Sequence, residues 1–287
     1  MDQTEPQGDL GMLDTGDAAY AQSDEVRSQL IAMAQTAGDA RIVQALCEQI
    51  NADTGMVRAR LTLRVAAALG IDGVCAAASV EALHLASLIH DDLCDQASVR
   101  RGRSSVWASH GSGPAIAAGD LMIAASFGAL AQDPVALSRR IALMQAAISH
   151  TVRGQAEDLA TRSAHLSTGR YLRMAARKSG PLLGLGPALA MLSADRPADA
   201  KCILRAARWL AVAYQIADDM ADIEEDAASG APNVVAHAGQ TWAVHLADRA
   251  IDKARHIAAS LPREASTAFD HTILETSSML AGARDAI

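Results

Sequence analysis

From about Ser23 onward, apolar residues recur every three or four positions, and no stretch alternates apolar and polar residues as a half-buried strand would. That spacing predicts helices over 27–50, 58–69, 78–95, 114–131, 136–163, 168–194, 199–226, 239–260 and 265–283. Turn-forming residues separate them, as at Gly70-Ile71-Asp72-Gly73, Gly111-Ser112-Gly113-Pro114, Arg196-Pro197 and Ser229-Gly230-Ala231-Pro232. The stretches Ser79–His90 and Ala117–Leu130 are apolar on most of their surface, which predicts helices in the middle of a bundle. Half the residues are hydrophobic but only 3% are aromatic, a composition for an Ala/Leu core rather than a sandwich or barrel. No repeat and no linker divides the chain. The expectation is one all-α domain, a helical bundle over 23–287, behind an acidic, disordered tail at 1–22.

A net charge of −8 argues against broad affinity for nucleic acid. The four cysteines are scattered without metal-type spacing, which suits a reducing compartment. No run approaches 18 continuous apolar residues, and the acidic start is unlike a signal peptide. A cytoplasmic protein with no membrane span is expected.

Two acidic clusters break the apolar pattern. Asp91-Asp92-Leu93-Cys94-Asp95 follows the apolar stretch Leu83–Ile89, and Asp218-Asp219-Met220-Ala221-Asp222 follows Trp209–Ala217. On a helix, residues four apart share a face, so Asp91 points with Asp95 and Asp218 with Asp222. Such carboxylates repel one another and, at a helix C-terminus, oppose the macrodipole. Folding does not favour that arrangement twice, whereas a hard cation such as Mg²⁺ does: it binds one or two carboxylates together with substrate phosphate and water. Five residues beyond the first cluster come Arg100-Arg101-Gly102-Arg103, where two adjacent arginines followed by glycine offer rigid guanidinium forks on a tight turn suited to phosphate oxygens.

The stretch from Glu81 to Val106 resembles the first aspartate-rich region of trans-isoprenyl diphosphate synthases, the polyprenyl synthetase family. Ala118-Gly119-Asp120, Gly154-Gln155-Ala156-Glu157-Asp158-Leu159 (similar to G-Q-x-x-D-L), Lys178-Ser179 (similar to K-T) and Tyr214–Asp222 (similar to F-Q-x-x-D-D-x-x-D) follow in the family's order. The resemblance covers about residues 30–285 and implies an isoprenoid synthase bundle, working as a homodimer. It implies an enzyme that ionises an allylic diphosphate and joins it to isopentenyl diphosphate with about three Mg²⁺ ions, each held in part by substrate phosphate.

Residue by residue, the resemblance implies Asp91, Asp95 and Asp218 as direct metal ligands, with Asp92, Asp219 and Asp222 acting through water or behind them. It implies Arg100, Lys178 and Gln215 at the allylic diphosphate, with Ser179 and Gln155 also binding substrate. Arg58, Arg60, His84 and Arg101 would hold the diphosphate of isopentenyl diphosphate. Two departures stand out: Val57 and Ala231 occupy positions where the family usually has lysine. Each lost lysine removes a charge-assisted contact of roughly 1.5–3 kcal/mol.

In this family a bulky aromatic residue four or five positions before the first aspartate stops chain growth. Here those positions are Ser87 and Ala86, both small, with Leu83 one turn further down. The expected product is therefore C20 or longer, geranylgeranyl diphosphate first, unless Met122 or Phe127 plugs the tunnel. A class I terpene cyclase on the same fold is the alternative reaction, although its second metal motif is typically N-D-x-x-S-x-x-x-E. A non-catalytic regulatory subunit is a third reading; such subunits lose aspartates that are all present here.

Overall fold

The computed structural model describes residues 15–52, 55–100, 102–161, 167–229 and 233–285. Helices α1 (Thr15–Gln35), α2 (Ala40–Ala52), α3 (Val57–Ala68) and α4 (Val74–Asp95) lead into a two-stranded hairpin, β1 (Val99–Arg100) and β2 (Arg103–Ser104). Then follow α5 (Val106–His110), α6 (Ser112–Ala131), α7 (Leu137–Thr161), α8 (Thr168–Lys178), α9 (Gly180–Ser193) and α10 (Pro197–Ala221). The chain continues through α11 (Ile223–Ser229), α12 (Val234–Ala238), α13 (Gln240–Ala258) and α14 (Arg263–Asp285). The all-α expectation holds. The tail boundary moves, because α1 begins at Thr15, inside the stretch read as tail; residues 1–14 lie outside the described residues.

Three expected helices divide. The 27–50 stretch breaks between α1 and α2, the 168–194 stretch at Ser179, which ends α8 and precedes α9, and the 199–226 stretch at Asp222, between α10 and α11. The second break matters more. Helix α9, Gly-Pro-Leu-Leu-Gly-Leu-Gly-Pro, is buried from Gly180 to Leu192 and packs against α3, α4, α7 and α10. It is the central helix, a place the sequence reading had given to α4 and α6.

Glycine is needed on α9 because a Cβ on Gly186 would lie 1.9 Å from Thr62 Oγ1 of α3 and 3.1 Å from Val80 Cγ1 of α4. Its absence lets three helices meet at one point. Helix α4 is buried on most of its length, as expected. Helix α6 departs from expectation: it packs along α4 with Ala115, Ala118 and Met122, yet its opposite side is apolar and open to solvent. Ile116 there is 49% exposed. By length and hydropathy α6 could cross a membrane, with 39% of its apolar window buried.

Candidate active site

Both acidic clusters end long helices that flank α9. In the first, α4 runs through Asp95 and terminates at Gln96, which adopts a left-handed conformation. Asp92 faces inward, buried, and accepts from Arg100 Nε at 2.6 Å. Arg100 reaches it from the hairpin, whose turn needs positive φ at Gly102 (74°). Asp91 is half-buried. Burial pushes its carboxyl up to about 6, Lys178 pulls it back and Asp95 pushes it further.

In the second cluster, α10 ends at Ala221 and Asp222 caps it, its N–H bonded to Asp218 O at 3.0 Å. Burial, then Asp222 and Asp219, push Asp218 up to about 7 against the pull of Arg58 and Arg100. Arg100 thus acts on the carboxylates of both clusters. Lys178 acts on the first cluster and Arg58 on the second, with Arg100 common to both.

Among the described residues, no three carboxylate, imidazole or thiol groups converge on one point. The donors come instead as pairs one helical turn apart, and burial, reinforced by the neighbouring carboxylate, raises the proton affinity of Asp91 and of Asp218. That is the arrangement a divalent cation relieves when substrate phosphate completes its shell, so the residues fit Mg²⁺.

Lys178 Nζ sits 2.7 Å from Asp158 Oδ2 of α7. Burial works against its ammonium, yet Asp158 and Asp91 outweigh that and raise its pKa. Ser179 is half-buried at the α8–α9 break. Gln155 is half-buried, and its amide oxygen and nitrogen are both enclosed without a hydrogen-bond partner. Two unmet donors and an unmet acceptor, about one helical turn before Asp158, the partner of Lys178, suit a substrate contact. Gln215 donates to Asp219 Oδ1 at 3.2 Å, which makes it a support of the second cluster. Arg60 lies 3.4 Å from Glu275 of α14, a carboxylate that Arg64 also meets. Arg101 and Ala231 lie outside the described residues.

His84 lines an open pocket with Arg100 and Arg103. Leu83 belongs to a buried cluster with Val80, Leu130 and Met144, against which Phe127 packs. Ala86 is buried in a different cluster with Met122. Ser87 Oγ bonds back to His84 O at 2.7 Å.

Four residues that the sequence reading did not select complete the site. Asp158 partners Lys178, and Arg103 lines the pocket. The Tyr171 hydroxyl is buried beside Asp219, and burial followed by that carboxylate pushes its pKa well up. Asn233 is the fourth, and the most connected. Its Nδ2 donates to Asp219 O at 2.6 Å and to Asp226 Oδ2 at 2.7 Å, while its Oδ1 caps α12 by accepting from Val235 and Ala236 N–H. Asp219 Oδ2 in turn accepts from Val234 N–H at 2.7 Å. Asp219 is therefore buried and locked to the start of α12, with its carboxyl raised to about 6 by burial and lowered by that N–H.

Replacing Asn233 with alanine removes a cap and two donors to buried oxygens, an expected loss of about 2 kcal/mol or more. Thermal denaturation should show a Tm lower by roughly 4–8 °C. The further Tm gain on adding Mg²⁺ with pyrophosphate should shrink as well; an undiminished gain would mean that the clamp does not position the cluster.

Residues 40–234 match the family model described as polyprenyl synthetase. Among curated proteins, the chain is 31% identical over 154 residues to a short chain isoprenyl diphosphate synthase of Methanocaldococcus jannaschii, covering 53% of this chain and 47% of that protein. It is 35% identical over 176 residues to a geranylgeranyl diphosphate synthase of Mycobacterium tuberculosis, covering 59% and 50%. The matches thus span about half the length of these curated relatives. Among solved structures, a decaprenyl diphosphate synthase from Rhodobacter capsulatus superposes with TM-score 0.83 at 20% identity, over 94% of this chain and 98% of that one. A polyprenyl synthase from Caulobacter crescentus, complexed with calcium and isoprenyl diphosphate, gives 0.77 at 21%, over 93% and 98%. At these identities the superpositions speak for the fold, while the match to the family model covers more than half of the chain and carries the family. The paired aspartate clusters, the arginine hairpin and Lys178 stand on the fold of a chain that belongs to the polyprenyl synthetase family.

Proposed function

We propose that the protein is a trans-prenyltransferase that joins an allylic diphosphate to isopentenyl diphosphate and releases pyrophosphate. The observation that carries this reading is that Arg100 acts on a carboxylate of each cluster, with Lys178 beside Asp91 and Arg58 beside Asp218. Asp91, Asp95 and Asp218 would hold Mg²⁺, with Asp222 beside them, and the metal would supply positive charge for the departing diphosphate. The calcium and isoprenyl diphosphate bound by the Caulobacter protein support use of a divalent cation.

Lys178 and Arg100 lie where negative charge develops as the allylic C–O bond breaks, and Gln155 offers its unmet amide donors to the same group. The double bond of isopentenyl diphosphate then attacks the allylic cation, and a proton leaves to the pyrophosphate. The new chain runs past Ser87 and Ala86 toward Leu83. Two small side chains at the mouth favour a C20 product, geranylgeranyl diphosphate.

A homodimer is part of the same proposal. The outer sides of α6 and α7 carry Ile116, Ile141, Val152 and Leu159, all exposed in the single chain, with Val152 at 62%. An apolar surface of that kind marks an interface. Val152→Asp is expected to shift the protein toward monomer in light scattering coupled to gel filtration; an unchanged mass would remove this face from the interface.

The reaction itself is tested by incubating the protein with Mg²⁺, isopentenyl diphosphate and dimethylallyl, geranyl or farnesyl diphosphate in turn, with mass spectrometry of the products. A longer prenyl diphosphate is the expected result. A hydrocarbon or alcohol formed without isopentenyl diphosphate would instead make the protein a cyclase, and Val57, where prenyltransferases of this family carry lysine, would be its sequence mark.

A further inference from the structure

We propose that Arg103 binds the diphosphate of the second substrate, isopentenyl diphosphate, and supplies the positive charge that Val57 lacks; the inference rests on the prenyltransfer reading above. The argument begins with the hairpin register. Val99 pairs with Ser104 and Arg100 with Arg103, so the two arginines are the closing pair across a two-residue turn. Residues directly opposed in an antiparallel pair project to one face, and like charges so placed destabilise the pair. Nothing in folding selects two opposed guanidiniums there, whereas an anion between or beside them does.

The two arginines are not equivalent. Arg100 is neutralised by Asp92 at 2.6 Å. Among the described residues, Arg103 has no ion-pair partner, and it is exposed. Both line the open pocket whose other polar walls include His84 and Gln49. Glu81 also lines it, but its Oε1 accepts from Ala59 N–H at 2.8 Å inside the first turn of α3. Met56 borders the pocket as well, and the next residue, Val57, opens α3 with an apolar side chain at the position where a lysine would add a cation. A diphosphate entering here meets His84 on one wall and a free guanidinium on the hairpin. Arginine is suited to grip it with two parallel N–H donors.

The test combines steady-state kinetics, varying isopentenyl diphosphate at saturating allylic diphosphate, with calorimetric titration of isopentenyl diphosphate into the protein. For Arg103→Ala, KM and Kd for isopentenyl diphosphate are expected to rise about tenfold or more, the worth of one charge-assisted contact. The KM for the allylic diphosphate should stay within about twofold. Adding Val57→Lys to Arg103→Ala should restore most of the lost affinity, an outcome that mere damage to the hairpin would not give. Equal isopentenyl diphosphate affinity in wild type and Arg103→Ala would overturn the proposal while leaving prenyltransfer intact. A wild-type protein that makes no elongated product overturns the prenyltransfer reading, and the assignment of Arg103 with it.

Discussion

Replacing Asp218 with asparagine is expected to cut kcat by on the order of 10²–10³, the loss that follows removal of one charge-stabilising group from a reacting centre. The same change should raise the stability of the metal-free protein near pH 8. The reason is that Asp218 is crowded: burial and the carboxylates of Asp222 and Asp219 lift it to about 7 against an ordinary value of 3.8. A carboxyl whose folded pKa is raised contributes stability that is fully present below about pH 4 and is lost as pH rises through about 7. Asp91 and Asp219, each at about 6, act in the same direction.

Without metal, the wild-type Tm should therefore fall between pH 5 and pH 8. Asparagine at 218 should recover on the order of 2 kcal/mol of that fall at pH 8. Mg²⁺ with pyrophosphate should restore the wild type and do much less for the variant. Activity of the wild type should rise with pH through the range 6–7, as the carboxylates lose the protons that compete with the cation. Thermal denaturation across pH, with and without Mg²⁺ and pyrophosphate, reads all of this. A wild-type Tm that climbs from pH 5 to pH 8 without metal would refute the account, as would an Asp218→Asn enzyme of undiminished kcat.

The parts of this site legible in the sequence are those where residue type and helical spacing alone create a conflict that folding would avoid. Asp91 with Asp95, and Asp218 with Asp222, are conspicuous because repelling carboxylates end apolar helices. The all-α architecture was legible for a similar reason: three- and four-residue spacing survives whatever the tertiary packing. The helix over α9 was legible within the 168–194 stretch, but its central place was hidden, because the use of Gly180, Gly184 and Gly186 is tertiary, in letting α3 and α10 approach.

The roles of Asp158, which stands in the G-Q-x-x-D-L stretch, and of Asn233 were hidden differently. Each matters only through a partner 14 to 20 residues away, Asp219 for Asn233 and Lys178 for Asp158, and no local pattern announces such a pairing. A polar side chain at a helix start is the one signal Asn233 gave, and it would have been read as a cap alone. The role of Arg103 depends on hairpin register. Before the strands are paired, it is simply a third arginine.

Gly186→Ala is expected to destabilise the protein by about 2–4 kcal/mol, a large effect for one methyl group. The added Cβ would fall 1.9 Å from Thr62 Oγ1 and 3.1 Å from both Thr62 Cβ and Val80 Cγ1, in a place where α3, α4 and α9 are already in contact. The nearest clash is with a hydroxyl whose own hydrogen bond, to Arg58 O at 2.7 Å, only returns one helical turn along α3. Thr62→Ala should therefore be mild alone and should recover about half of the loss when combined with Gly186→Ala, giving a coupling of on the order of 1–2 kcal/mol.

Activity should suffer beyond what stability predicts. Helix α3 carries Arg58, which acts on Asp218, and α4 carries Val80 and, three turns further on, Asp91. A wedge at Gly186 shifts these helices relative to α9 and α10, and so shifts the two carboxylate clusters relative to each other. At a temperature where Gly186→Ala is still folded, kcat should be at least about tenfold below wild type, since an ångström of misplacement at a reacting centre costs that much or more. The double variant should recover both quantities together. If the two substitutions simply add in Tm, the contact at Gly186 is not what sets the helix spacing. If the folded single variant keeps its kcat, the spacing of α3, α4 and α9 does not set the geometry of the site.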